Sequence, residues 1–415
     1  MGQGRLAQSD HTTEWPAVLK RAYKEAHHDN LSWNPIIVEM DKPNAHKTFE
    51  ALIERETILR VIDNYDEQFA ELTVSRHPQL YRASLDVKRE SLKEYLLKHY
   101  AGQQSWQLGS WVYFPWTGVL VHILQDELFQ ESRTIRNKNL LTVEEQQKYA
   151  EFSVGCVGMS VGSNVALSLA ITGGSKRLKI ADGAVISASN LNRIVAGVAD
   201  VGMSKSLVVA RKLYEMNPYL EIERFDQDIT KDSIQRFFEA PWQLDAVVDE
   251  IDDLKMKILL RVEARKRRIP VVMATDLGDD VMIDVERFDK DGNLPLFHGL
   301  VGNIEELLDR EVGKQEWLKY AMQIIGVKNV SLRMQQSLLD VGTKIVTQPQ
   351  LGSTALMSGA VAAYAVRQIA LEHPLQTGRT LISLDSKLRK DIVSFAYKRE
   401  LSRHTRQLTQ ALEAM

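Results

Sequence analysis

Short apolar strands alternate with helices along the middle of the chain, and this alternation constrains the fold more than any other feature of the sequence. A strand over 153–157 leads into a glycine-rich turn over 158–164. Further strands are predicted over 176–180, 220–224, 244–248 and 269–273, with helices over 165–171, 203–216, 231–239 and 254–267 between them. Because parallel strands are joined by crossovers of this kind, the pattern predicts an α/β fold with a doubly wound, Rossmann-like, mostly parallel sheet.

The residues before this alternation have a different pattern. The chain has 415 residues, which indicates more than one domain, since a domain usually has about 100 to 200 residues. We expect a separate α+β region at the N-terminus, with amphipathic helices over 46–72 and 83–99. The aromatic stretch 106–116 has no interleaved basic residues, which favours packing of its side chains over stacking on nucleic-acid bases.

The composition excludes several classes of protein. Lys and Arg number 52 against 55 Asp and Glu, so the net charge of −3 provides no basic field for nucleic acid. No apolar run approaches the ~20 residues of a membrane-spanning helix, and the N-terminus lacks the apolar core of a signal peptide. The single cysteine, Cys156, excludes an intrachain disulfide and a four-cysteine zinc site. We therefore expect a cytoplasmic protein with neither a membrane nor a nucleic-acid partner.

The glycine-rich turn favours a nucleotide as ligand. A tight turn over Gly158–Ser163 lets the backbone approach a phosphate group, and the helix that follows offers its positive N-terminus. Asp182 ends the next strand, 24 residues after Gly158 (182 − 158), where a carboxylate can bind ribose hydroxyls. These two features alone leave open a plain strand–helix turn that binds nothing.

Four more motifs follow in order along the chain. They are Ser-Asn-Leu-Asn-Arg over 189–193, Gly-Met-Ser-Lys over 202–205, Asn-Pro over 217–218 and Asp-Glu-Ile-Asp over 249–252. Together with the glycine-rich turn and Asp182, this set resembles the ThiF/MoeB superfamily, whose adenylating domain is shared with ubiquitin-activating enzymes. A dehydrogenase has no comparable reason to place an arginine and a lysine on this side of the sheet.

The resemblance implies an enzyme that uses ATP and Mg²⁺ to activate a carboxylate as its adenylate. Cations in fixed positions must neutralise the triphosphate during this reaction, and Arg193 and Lys205 match the family positions for that role. Asp249 is the expected magnesium ligand, because a hard cation between phosphates prefers carboxylate oxygen. The other positions that the resemblance assigns to nucleotide binding are Gly158, Ser160, Gly162, Ser163, Asp182, Asn190 and Asn192.

The resemblance also implies a homodimer. In the family, an arginine ahead of the first strand reaches the triphosphate of the partner subunit. Arg136, in the run Arg-Thr-Ile-Arg over 133–136, matches that arginine. A small-residue helix expected over 355–370 favours the same symmetric assembly.

The resemblance covers about residues 106–386. It divides the chain into an N-terminal accessory or substrate-recognition region over 1–130, a ThiF-type adenylating domain over 131–386 and a helical tail over 387–415. The segments 111–116, 284–289 and 296–300 narrow it to a bacterial subgroup whose members are sometimes fused to a nitroreductase-like domain.

Several departures from the family pattern bear on the chemistry. The glycine-rich loop is one residue shorter than usual and has Ser160 in place of a glycine, while Lys257 stands near a position normally held by arginine. No Cys-x-x-Cys pair is present for the family's zinc, and Cys156 lies inside a predicted strand, where we expect a buried side chain. The adenylate should then be captured directly, without a sulfur relay. His298 has apolar neighbours and is either a general base or a core histidine.

Three hypotheses for the function follow. The first is an ATP-dependent adenylyltransferase that acts on a carboxylate- or carboxamide-bearing small molecule or peptide, with modification of a ribosomal peptide in natural-product biosynthesis as its setting. The second is a non-catalytic nucleotide-binding scaffold, which the altered loop and Lys257 would suit. The third is a nicotinamide- or flavin-dependent oxidoreductase, supported by the glycine-rich turn and Asp182 alone.

Overall fold

Two compact units make up the part of the chain that the computed structural model describes, residues 16, 17 and 31–413. The chain passes from one unit to the other between Phe129 and Gln130. One unit has a four-stranded sheet and the other a seven-stranded sheet. Residues 1–15 and 18–30 of the predicted accessory region, and 414–415 of the predicted tail, lie outside the described residues.

The first unit is built on a mixed four-stranded sheet. Its elements are β1 (Ile36–Glu39), α1 (Ala45–Arg55), β2 (Arg60–Asp63), α2 (Tyr65–Arg76), α3 (Leu85–Tyr100), β3 (Ser110–Phe114) and β4 (Val119–Ile123). The strand order is β1–β3–β4–β2, in which β2 runs parallel to β4 and the other pairs are antiparallel. Val38, Leu52, Trp111 and Leu120 form the centre of its core. The α+β character expected of this region is confirmed.

The single helix predicted over 46–72 is wrong. The segment is broken, because α1 ends at Arg55 and β2 separates it from α2. Ile58, an apolar residue of the supposed helical face, lies in the connection before β2 and packs against the core of the unit. Because β2 is fixed by pairing with β4, about 60 residues further along the chain, local periodicity does not reveal it.

The second unit contains the alternation of strands and helices. Its first elements are α4 (Asp126–Thr134), which contains the boundary, α5 (Val143–Glu151), β5 (Val154–Val157), α6 (Gly162–Ile171), β6 (Arg177–Ala181), α7 (Lys205–Met216), β7 (Glu221–Phe225), α8 (Ile234–Glu239) and β8 (Ala246–Asp249). The remaining elements are α9 (Leu254–Lys266), β9 (Val271–Asp276), β10 (Asp280–Glu286), α10 (Lys314–Ile325), α11 (Leu332–Asp340), α12 (Gly352–Ala370), β11 (Gly378–Ser383), α13 (Asp385–Leu388) and α14 (Phe395–Glu413).

The seven-stranded sheet has the order β11–β10–β9–β8–β5–β6–β7. Strands β5 to β9 are parallel, whereas β10 pairs antiparallel with both β9 and β11. The predicted doubly wound, mostly parallel sheet is therefore confirmed. The chain adds strands on one side of β5 and then on the other, so β5 and β8 flank the point where the strand order reverses. In such sheets, ligands bind at this point, outside the carboxyl ends of the strands.

A continuous apolar core supports this edge of the sheet. Val157, Phe237, Val247, Ile258 and Phe288 belong to a single cluster of buried side chains. Cys156 is fully buried in β5, and burial raises the pKa of its thiol, which confirms the prediction of a buried side chain. None of the described helices is long and apolar enough to span a membrane.

Candidate nucleotide site

The turn between β5 and α6 requires glycine at its first position. Gly158 has a φ of +86°, a left-handed backbone conformation that side chains disfavour. A Cβ atom at this position would lie 2.3 Å from the carbonyl oxygen of Glu250, which follows β8. The turn therefore packs directly against the end of the neighbouring strand.

Four consecutive backbone N–H groups are available at the start of α6. No described residue accepts a hydrogen bond from the N–H of residue 160, 161, 162 or 163. The first turn of a helix leaves such groups unpaired, and the helix dipole favours an anion beside them. The predicted binding residues Ser160, Gly162 and Ser163 lie in this turn, so their backbone fits a phosphate group.

Asp182 connects this turn to Lys205. One carboxylate oxygen of Asp182 accepts a hydrogen bond from Met159 N at 2.7 Å, and the other accepts from Ala184 N at 2.7 Å. The Nζ atom of Lys205, the first residue of α7, lies 3.9 Å from Asp182 Oδ2. Burial raises the pKa of Asp182, while the charge of Lys205 and the two N–H donors oppose that rise. Both predicted side chains thus lie beside the glycine-rich turn.

Arg193 is held over the glycine-rich turn by Ser160. Its Nε donates to Ser160 Oγ at 2.9 Å, and one terminal nitrogen donates to Asn192 Oδ1 at 2.8 Å. The other terminal nitrogen donates to no described residue. Burial lowers the pKa of Arg193, and the negative charges of Asp252 and Asp276 raise it. The serine that replaces a family glycine therefore orients a predicted catalytic arginine.

Asn190 and Asn192 are engaged within the chain. Asn190 is buried, and its side-chain oxygen accepts from Ser187 N at 3.1 Å. Asn192 donates through its side-chain nitrogen to the carbonyl of Gln350 at 2.8 Å. Both side chains fix the turn that leads to Arg193, and their role toward a nucleotide stays a prediction.

Asp249 is fully buried, and both of its carboxylate oxygens accept hydrogen bonds from its own neighbours. One oxygen accepts from Ile251 N at 3.0 Å, while the other accepts from Lys257 Nζ at 3.1 Å and from Arg261. Burial opposes ionisation of Asp249, but the charges of Lys257 and Arg261 outweigh it and hold its pKa below the usual range. A magnesium ion would have to displace one of these donors, so the metal-ligand role of Asp249 stays a prediction that the observed contacts do not favour.

Asp252 is the exposed carboxylate of this motif, whereas Glu250 is partly buried. It is exposed three residues after Asp249, and its charge acts on Arg193. Sequence reasoning included it in the motif but gave the metal role to Asp249. No cluster of three or more His, Cys, Asp or Glu side chains able to hold a metal occurs among the described residues. An exposed carboxylate at a strand end nevertheless fits magnesium, which takes most of its ligands from phosphate and water.

The two arginines of the 133–136 run have different environments. Arg133 donates to the carbonyl of Ala170 at 2.5 Å, near the end of α6, and burial lowers its pKa. Arg136 is exposed, and its side chain makes no hydrogen bond or ion pair with the described residues of its own chain. Its predicted role therefore rests on a second subunit.

His298 belongs to a polar network away from the glycine-rich turn. Its Nε2 lies 2.9 Å from Asp284 Oδ1, and Arg379 contacts the same carboxylate at 2.8 Å and 3.1 Å. Burial opposes ionisation of Asp284, but His298 and Arg379 outweigh it and lower its pKa. These contacts hold the His298 ring in place, and its role as a core histidine or as a general base stays a prediction.

Comparison with known proteins gives a family for the second unit. Residues 132–386 match the model of the ThiF family. The uncharacterized protein MT1398 of Mycobacterium tuberculosis (strain CDC 1551 / Oshkosh) is 35% identical over 280 residues, which are 67% of this chain and 38% of that protein. The tRNA threonylcarbamoyladenosine dehydratase of Escherichia coli (strain K12) is 28% identical over 137 residues, which are 32% of this chain and 50% of that protein.

Among solved structures, PaaA is similar with 18% identity and a TM-score of 0.44, over 62% of this chain and 77% of that chain. The chain spans between 38% and 50% of the length of the two curated relatives. The family match covers more than half of the chain and includes every motif from 133–136 to α12. The chain therefore belongs to the ThiF family.

Proposed function

We propose that this chain is an ATP-dependent adenylyltransferase that activates a carboxylate, or a carboxamide oxygen, as its adenylate. The observation that carries the proposal is the group at the carboxyl ends of β5 and β6. There, the unpaired N–H groups of residues 160–163 lie beside Arg193 and Lys205, whose side chains keep capacity for a ligand. Together they suit a triphosphate and have no evident use in hydride transfer.

In the proposed reaction, an oxygen of the substrate carboxylate forms a bond to the α-phosphorus. The bond from that phosphorus to the bridging oxygen breaks, and pyrophosphate leaves with the electron pair. The backbone donors at 160–163 bind phosphate oxygen, while Arg193 and Lys205 balance the charge that develops on the leaving group. Magnesium, held by Asp252 or by the predicted Asp249, would supply further neutralisation of the phosphates.

Capture of the adenylate does not involve the cysteine of the chain. Cys156 is buried within β5, so an amine, amide, carbanion or hydroxyl would attack the acyl carbon directly and release AMP. The unit before Gln130 is proposed to recognise the substrate, with a modified ribosomal peptide in natural-product biosynthesis as its setting. A homodimer would bring Arg136 of one subunit to the triphosphate of the other. The narrower bacterial subgroup and a cytoplasmic location are part of the same proposal.

Exchange of radiolabelled pyrophosphate into ATP tests this function. We expect exchange that requires Mg²⁺ and one acid from a panel of amino acids and peptides. Arg193→Ala and Lys205→Ala should each lower the rate by about 100-fold or more, because each removes a donor to developing charge. Arg177→Ala is the matched control, since Arg177 pairs with Glu221 at the opposite end of the sheet and is 50% exposed.

The control variant should keep the full exchange rate. Undiminished exchange in Arg193→Ala would contradict the assignment of this side chain. Tight binding of ATP without exchange for any acid of the panel would instead favour the non-catalytic scaffold.

A further inference from the structure

Asp276, at the end of β9, has one carboxylate oxygen without a partner. Its Oδ1 accepts a hydrogen bond from Ser358 Oγ at 2.5 Å. Its Oδ2 is buried, and no described residue donates to it. An unsatisfied buried carboxylate oxygen is costly, and native structures keep such a group mainly where it has a use.

A second unpaired acceptor lies on α6, the helix that packs against α12. Asn164 is 1% exposed, and its side-chain nitrogen donates to the carbonyl of Arg193 at 2.9 Å. Its side-chain oxygen is buried and has no donor among the described residues. Gly359 packs against this residue so closely that a Cβ atom there would lie 2.6 Å from the Asn164 backbone.

The two acceptors are connected through α12 and Arg193. Ser358 and Gly359, which contact Asp276 and Asn164 respectively, are consecutive residues of α12. Arg193 binds Asn164 through its carbonyl, and its positive charge acts on Asp276. We call Asn164, Arg193, Asp276 and Ser358 the Asp276 cluster.

The strand order places this cluster on the acyl side of the proposed reaction. The carboxyl ends of β6, β5, β8 and β9 follow one another across the sheet. Asp182, expected at the ribose, directly follows β6, and the glycine-rich turn follows β5. Asp276 ends β9, on the other side of that turn. A substrate that approached the α-phosphate opposite the ribose would therefore lie on the side of the turn that carries the Asp276 cluster.

We propose that the Asp276 cluster binds an N–H donor, an amide or ammonium group, that the substrate carries close to the carboxylate being activated. Both unpaired atoms are acceptors, so only a donor satisfies them, and the Arg193 charge keeps the carboxylate from repelling the substrate. The substrate class is then an amino acid or a peptide end rather than a plain aliphatic or aromatic acid. This inference rests on the proposed adenylyltransferase function.

Matched pairs of acids test the inference. Each pair contrasts an N–H donor with an analogue of similar shape that lacks it: succinamic acid with monomethyl succinate, N-acetylglycine with acetoxyacetic acid, and β-alanine with butyric acid. The three pairs separate a side-group amide, a backbone amide and an ammonium group. In wild type, pyrophosphate exchange should give at least one donor a kcat/KM about tenfold or more above its partner.

Asp276→Leu, which cannot accept a hydrogen bond, should bring that ratio close to one and leave ATP binding unchanged. Asp276→Asn serves if the leucine variant does not fold, and it should also lower the ratio. A merely structural role would lower both members of a pair equally. Equal exchange for donors and analogues in wild type would overturn the inference and leave the proposed function standing.

Thermal shifts with a non-hydrolysable ATP analogue and each acid give a readout that does not depend on catalysis. Selective stabilisation by a donor acid that is lost in Asp276→Leu supports the inference even if no exchange occurs. The absence of exchange would then contradict the proposed function and not the inference. If wild type shows no selective exchange and no selective stabilisation by any donor acid, the inference is overturned.

Discussion

Asp249 and Asp276 end two neighbouring parallel strands, yet the structure uses them in opposite ways. Asp249 is fully buried, and each of its oxygens has a donor, from Lys257, Arg261 or a backbone N–H. Asp276 keeps one buried oxygen without a donor among the described residues. A carboxylate at a strand end is therefore not a ligand site by position alone. Its unsatisfied hydrogen-bonding capacity distinguishes a group available to substrate from one that holds the fold.

The contacts of Asp249 continue into the core. Arg261, which is fully buried, also donates to Glu286 at 2.5 Å, and its guanidinium lies 4.0 Å from the centre of the Phe297 ring. The second oxygen of Glu286 accepts from Phe297 N at 2.7 Å. The network thus joins the end of β8 to the turn after β10. We expect this side of the site to be rigid, because loss of Arg261 would leave the buried Glu286 without its ion-pair partner.

The largest expected effect comes from breaking that network. Arg261→Met leaves Asp249 and Glu286 without their shared partner and should lower the free energy of unfolding by about 3–5 kcal/mol. Arg265→Met on the same helix is the matched control, because it removes only the partly exposed pair with Glu305. The control variant should lower the free energy of unfolding by about 0–1 kcal/mol. Similar losses for the two variants in urea titrations would contradict the view of Asp249 as part of a buried network.

A smaller effect is expected when Asp249 itself is neutralised. Asp249→Asn should lower the free energy of unfolding by about 1.5–3 kcal/mol at neutral pH, the contribution of hydrogen bonds to charged groups. The pKa of Asp249 is lowered below its ordinary 3.8, so its stabilisation is present above that pH and is lost as pH falls toward the lower folded value. The difference in free energy of unfolding between wild type and Asp249→Asn should therefore shrink below about pH 4. Chemical denaturation across the acid range measures it, and a difference that does not change with pH would argue against an ionised Asp249.

The smallest expected effect is a gain in the free energy of unfolding when Asp276 is neutralised. Burial raises the pKa of Asp276, against the hydrogen bond from Ser358 and the charge of Arg193, so its charged form destabilises the fold. The stability that a raised pKa contributes is present at low pH and is lost as pH rises through the folded pKa. Asp276→Asn should therefore raise the free energy of unfolding by less than about 1 kcal/mol at neutral pH, and the gain should vanish in acid. A loss of stability at neutral pH would show that Asp276 holds the fold as Asp249 does.

The sequence predicted the features that depend on strand ends. Gly158, Asp182 and Lys205 lie beside one another because each adjoins the carboxyl end of β5 or β6, and the alternation of elements places those ends at a common edge. The prediction of one continuous helix over 46–72 was wrong for the converse reason. Its interruption by β2 depends on pairing with a distant strand, and no local period contains that information.

The sequence also could not predict side-chain partners that only long-range packing brings together. Nothing in the spacing of Asp249 reveals that Arg261 and Glu286 bury and saturate its neighbourhood. Asp276 was missed because the predicted strand stopped at Met273, three residues before the observed end of β9. The signal was nevertheless present, since an aspartate follows an apolar strand there just as Asp249 ends its own.

The measurement that tests the central claim most directly is a crystal structure of the chain with a non-hydrolysable ATP analogue and Mg²⁺. We expect phosphate oxygens within hydrogen-bond distance of the N–H groups of residues 160–163, with Arg193 and Lys205 on the same phosphates and Asp249 still bound to Lys257 and Arg261. A nucleotide bound away from the ends of β5 and β6, with Arg193 and Lys205 unmoved, would contradict the account.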